Sequence, residues 1–155
     1  MSMVPRIHFA KHAPGVYDAM DALDTYLNAS PVEQKLLHLL RLRASQLNGC
    51  AYCIDMHWKD AKALGETDLR LYGLDAWQEA PYYTDKERAA LAWTEAVTFI
   101  AEGHAPDAAF EALKQNFNER EVGDLTCAIA TINAWNRLSI AARLAPGTYK
   151  SSLGK

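Results

Sequence analysis

Apolar residues recur at helical spacing along most of this chain, and nowhere do they alternate in the strict two-residue rhythm of a half-buried strand. That pattern predicts an all-α bundle. Val16, Ala19, Met20, Leu23 and Leu27 form one stripe from Gly15 to Leu27, and Leu36, Leu37, Leu40, Ala44 and Leu47 form a second. Ser30-Pro31-Val32-Glu33 reads as a capping box with proline at the first helical position, so the second helix is expected to start there. Asn48-Gly49 suits the left-handed turn that ends it. Further helices are expected from Cys50 to Leu64, from Thr67 to Trp77, and from the Thr84–Glu87 box to Ala101. Two more follow, from Asp107 to Phe117 and after the Asn118–Glu121 box. The tail after Pro146 is expected to fray. No low-complexity linker divides the 155 residues, half of them hydrophobic, which indicates one domain able to bury its own core.

A formal charge of −3 and the absence of a dense Lys/Arg run argue against nucleic acid as a partner. The opening segment lacks a signal-type apolar core, and no stretch approaches membrane-spanning length, so no membrane association and a cytoplasmic location are expected. Three cysteines do not resemble a secreted disulfide framework.

Two of those cysteines carry the chemistry. In NGCAYCIDMHW a helix places Cys50, Cys53 and His57 on one face, at steps of three and four residues. The pair stands at a helix start, where unpaired amides and the positive end of the dipole favour a thiolate. A neutral His57 can take a thiol proton, and its imidazolium can stabilise the anion or return a proton to a leaving alkoxide. The partner cysteine can resolve a sulfenic acid as a disulfide. Zinc is the rival use of two thiolates and an imidazole, but it needs a fourth ligand that only tertiary folding of His38 or Cys127 can supply. No metal and no cofactor are therefore expected. Cys127, within LTCAIATI, reads as an inert buried thiol. His8, His12 and His104 read as solvated. Trp58, Trp77, Trp93 and Trp135 suit a core, a subunit interface, or the wall of a pocket over the thiols.

The segment LRLRASQLNGCAYCIDMHWKDAKALGE, with ERAALAWTEAVT and DLTCAIATINAWNRLSI, resembles the carboxymuconolactone decarboxylase and AhpD-like alkylhydroperoxidase family over roughly Pro31 to Ala142. The resemblance implies an AhpD-like all-α fold with the dithiol at a helix N-terminus and a trimer or hexamer. It also implies reduction of hydroperoxides with electrons from a dithiol partner of lipoyl or thioredoxin-like type. It makes Cys53 the more buried, peroxide-attacking cysteine, Cys50 the partner that meets the reductant, and His57 a relay residue. The family's relay glutamate falls at His38, which either passes the proton itself or cedes the role to a glutamate such as Glu87 or Glu95. A histidine found before the second cysteine in the best-known relative is Tyr52 here, a hydrogen-bond donor that stays uncharged near neutral pH. The retained dithiol argues against the lactone decarboxylation of other relatives. A redox-responsive sensor or scaffold, using the same disulfide without efficient turnover, is the alternative to a peroxidase.

Overall fold

The computed structural model describes residues 4–153, and among them only helices and connecting turns occur. In chain order these are α1 (Phe9–His12), α2 (Pro14–Asn28), α3 (Gln34–Asn48), α4 (Ala51–Ala63) and α5 (Asp68–Tyr72), then a 3-10 turn (Gly73–Ala76). The order continues with α6 (Asp85–Thr98), α7 (Ile100–Gly103), α8 (Asp107–Lys114) and α9 (Glu119–Ala142). Both later capping boxes are made: Thr84 and Glu87 cap each other at α6, as Asn118 and Glu121 do at α9. The Ser30 box is not. Ser30 Oγ accepts from the Val32 amide instead, and α3 begins at Gln34 with Glu33 as an N-cap that makes no side-chain bond. The expected helix to Ala101 is interrupted at Phe99, leaving α7 as a separate turn.

Helix α3 is the centre of the bundle, packed against α4, α6 and α9. Periodicity predicts one buried stripe, yet every residue from Leu36 to Ser45 is buried. Two arginines are carried inside because each meets a carboxylate there. Arg41 reaches Asp24 of α2 at 3.3 Å, and Arg43 reaches Glu95 of α6 at 2.9 Å and Asp75 at 2.6 Å. At its C-terminal end, Asn48 Nδ2 donates to the side-chain oxygens of Asn133 and Asn136, both at 2.9 Å, and Asn136 Nδ2 donates to Ser45 Oγ at 3.0 Å. This polar stitch holds the end of α3 to α9. Gly49 then takes φ +68°, a conformation that costs glycine little, and the chain turns directly into Cys50.

The tail does not fray. Gly147 donates its amide to Asp55 at 3.0 Å, Lys59 donates to the carbonyls of Gly147 and Tyr149, and Tyr149 Oη donates to Asp60 Oδ1 at 2.8 Å. The segment is tied to α4, whose polar face supplies long-range partners that no local pattern announces. Gly154 and Lys155, the last residues of the tail, lie outside the described residues. No helix among the described residues is long and apolar enough to cross a membrane.

Candidate active site

Cys50 is the N-cap of α4, and its Sγ accepts the Cys53 amide at 3.4 Å. A sulfur held there sits in the positive field of the helix start. The two cysteines are joined as a disulfide, their Cα atoms 5.4 Å apart. They are equally buried, at 1% exposure each, so burial does not single out Cys53. What differs is access. A cavity of about 240 Å³ is lined by Cys53, Tyr52, Met56, His57, Tyr17 and Trp135, and Cys50 is not among its lining residues. Trp135 is the tryptophan that walls the thiols; its Nε1 donates to Asp24 at 2.7 Å. Tyr52 is half-buried, which raises its phenol pKa and keeps it uncharged near neutral pH.

His57 lies one turn beyond Cys53 on α4 and is buried. Its Nδ1 faces Nδ1 of His38, from α3, at 3.3 Å. His38 Nδ1 is in turn 3.9 Å from Asp60 Oδ2, so α3 and α4 bring together an imidazole pair and a carboxylate. These three side chains line a second cavity of about 370 Å³, which shares His57, Met56, Arg41 and Asp24 with the first and is covered by Tyr149, Ser152 and Leu153. His57 Nε2 is buried without a hydrogen-bond partner among the described residues.

Both histidines are held neutral. Burial, and then the Arg41 guanidinium, push His38 down to about 4 against a partial pull from Asp60. The same burial and Arg41, together with His38, lower His57 well below the ordinary imidazole range. The imidazolium expected to stabilise a thiolate is therefore disfavoured in this disulfide form, and His57 is held as a neutral imidazole. A measurable consequence follows for stability. Between about pH 6.5 and 4 the unfolded chain binds a proton at residue 38 that the folded chain refuses, so stability is complete above that window and is lost as pH falls through it. The loss from His38 amounts to about 3 kcal/mol once pH reaches 4. Thermal midpoints of the disulfide form are expected to fall more steeply with acid in the parent protein than in His38→Gln. Parallel curves would exclude this account of His38.

The glutamates considered as relay substitutes are engaged elsewhere. Glu87 caps α6 and pairs with Arg70. Glu95 accepts from Arg43 and Trp77. Neither lines the cavities beside the dithiol. Asp24 lines both cavities but is engaged by Arg41 and Trp135, and the carboxylate that stands beside His38 is Asp60, at the third position after His57 and the seventh after Cys53, on the same helical face. That spacing was a local signal for Asp60; Arg41 and Tyr149 had none. Cys127 lies on α9, half-buried, with Sγ 3.9 Å from Thr131 Oγ1, so it is less enclosed than its apolar neighbours imply. His8, His12 and His104 are exposed. Among the described residues, His38, His57 and Asp60 form a set able to hold a metal ion, with one ligand atom each and all three atoms within 4.8 Å.

The model of the carboxymuconolactone decarboxylase family matches residues 14–96. Uncharacterized protein YdfG of Bacillus subtilis is 38% identical over 139 residues, spanning 90% of this chain and 95% of its own. Among solved structures, a protein of unknown function from Agrobacterium tumefaciens, described as a candidate antioxidant defence protein AhpD, superposes with a TM-score of 0.91 at 42% identity. That match covers 94% of this chain and 100% of the other. The alkylhydroperoxidase AhpD core of a peroxidase-related protein from Ralstonia eutropha superposes at 0.79 with 20% identity, over 90% of this chain and 74% of that one, a likeness of fold.

Proposed function

The chain belongs to the carboxymuconolactone decarboxylase family, and from that membership we propose that it is a dithiol peroxidase that reduces alkyl or hydrogen peroxides through Cys50 and Cys53. The observation that carries this reading is a buried helix-capping dithiol beside a cavity, with a neutral histidine pair and a carboxylate behind it. Proton acceptance by His57 requires a bare Nε2, so Nδ1 of His57 donates to Nδ1 of His38. His57 takes the Cys53 thiol proton. The Cys53 thiolate attacks one peroxide oxygen, the O–O bond breaks, and the alkoxide leaves as the alcohol with the proton from His57. Cys50 then attacks the Cys53 sulfenic acid, a disulfide forms and water leaves. A dithiol partner, lipoyl or thioredoxin-like, returns two electrons and two protons by exchange. With both sulfurs buried, the partner must reach them through a cavity or after a local opening.

Of the three thiols in the reduced protein, two are expected to disappear on mild peroxide treatment, and Cys127→Ser should leave that loss unchanged. With dihydrolipoamide present, peroxide consumption should exceed one equivalent per chain many times over. Loss that needs Cys127 defeats the dithiol assignment, and consumption that stops at one equivalent favours the redox-sensor alternative.

We further propose a homo-oligomer, trimer or hexamer. Val16, Leu23 and Tyr26 leave an apolar side of α2 exposed, and Phe99 and Ile100 do the same near α7. Sedimentation velocity at micromolar concentration should show the assembly. A single monomeric species would exclude it.

A further inference from the structure

We propose that His38 Nδ1, His57 Nδ1 and Asp60 Oδ2 form a binding site for one divalent metal ion of the zinc class, separate from the two sulfurs. The first support is distance. Zn–N bonds of about 2.0–2.1 Å at a tetrahedral angle place the two nitrogens about 3.3–3.4 Å apart. The two Nδ1 atoms stand 3.3 Å apart. Asp60 Oδ2 is 3.9 Å from His38 Nδ1, and the three ligand atoms lie within 4.8 Å of one another, so Asp60 moves toward the histidines on binding.

The donor set suits the ion as well as the spacing does. Two imidazoles and one carboxylate are the ligand types of open zinc sites, which leave a fourth position free, and here the set borders a cavity of about 370 Å³. Asp60 is oriented by its neighbour: Tyr149 donates to Oδ1 at 2.8 Å and leaves Oδ2 toward the histidines. The charged groups lining that cavity are Asp24, Asp60 and Arg41, and Arg41 is engaged by Asp24 at 3.3 Å. The lining sums to one negative charge, and the Asp60 carboxylate is what draws a dication there against Arg41, which opposes positive charge at both imidazoles. Burial keeps the imidazoles neutral, so their lone pairs are available without proton release.

This site and the proton relay use the same two nitrogens. A bound ion displaces the proton between the two Nδ1 atoms to Nε2 of His57, so the bare Nε2 that the relay needs is lost and metal and relay exclude each other. A glutamate at position 38, as the resemblance leads one to expect, removes one of the two imidazoles. The site is thus a property of this chain's departure from its family.

The test uses the disulfide form of Cys127→Ser, in which no thiol remains to bind metal, and Co²⁺ as a visible probe followed by Zn²⁺ calorimetry. It reads binding and needs no turnover, so its outcome is independent of whether the dithiol reduces peroxide. One ion per chain is expected, with tetrahedral Co²⁺ absorption and no thiolate band. Affinity should drop by about tenfold or more in His38→Gln and in Asp60→Asn, and stay unchanged in His104→Gln. Should the buried substitutions impair folding, X-ray absorption of the zinc-loaded parent decides: two imidazoles and no sulfur support the site. Failure to bind one ion, parent-like affinity in both buried variants, or fewer than two imidazoles on the zinc overturns it.

Discussion

Replacing His57 with alanine is expected to slow the peroxide-dependent oxidation of the reduced protein by about two to four orders of magnitude, the range for loss of a direct general base. Two features of its placement carry the expectation. His57 shares a cavity with Cys53, and its Nε2 is a buried nitrogen with no partner among the described residues. A buried thiol without a base stays protonated, because burial disfavours the anion and little else nearby is free to take the proton. If His57 serves only to fill space between α3 and α4, the substitution costs stability through a cavity and leaves the rate nearly intact. Stopped-flow oxidation of the pre-reduced variant, with circular dichroism to verify the helices, distinguishes the two. An unchanged rate in a folded His57→Ala protein would remove histidine-assisted thiolate formation from the mechanism.

His38→Gln is expected to slow the same step by about tenfold to a hundredfold, less than loss of the direct base, because in the proposed relay His38 acts through His57. His38→Glu should retain most of the rate but change its pH dependence. A carboxylate at position 38 stands beside Asp60, which is 3.9 Å from the native imidazole nitrogen. Two buried carboxylates at that range cannot both ionise easily, so they share a proton and the pair's upper pKa rises. The acid limb of the rate profile should therefore move to higher pH in His38→Glu than in the parent, whose His38 titrates near 4. Profiles across about pH 5 to 9 check both points. A parent-like rate for His38→Gln would take His38 out of the relay and leave Asp60 without a path to His57.

Much of the frame was legible one helix at a time. The Thr84 and Asn118 boxes work because capping involves residues three apart, and the Cys50–Cys53–His57 face follows from the helical period alone. Gly49 likewise marks the turn into the dithiol. The same local reasoning misplaced the start of α3, where the Ser30 box has the right letters but the chain makes a tighter turn. It also drew α3 as amphipathic, since Arg41 and Arg43 belong outside unless a partner from another helix meets them.

By itself, then, the sequence determined most of the helices, the Thr84 and Asn118 caps, and the dithiol with a histidine one turn on, because each depends on contacts within about four residues. Tertiary structure alone decided that His38 faces His57 across α3 and α4, that Asp60 meets His38 there, and that Glu87 and Glu95 are drawn to arginines elsewhere. It also decided that the tail closes over the site through Tyr149. Those outcomes depend on where separate helices cross and which charges find partners on burial, and such long-range pairings leave no periodic trace in the chain.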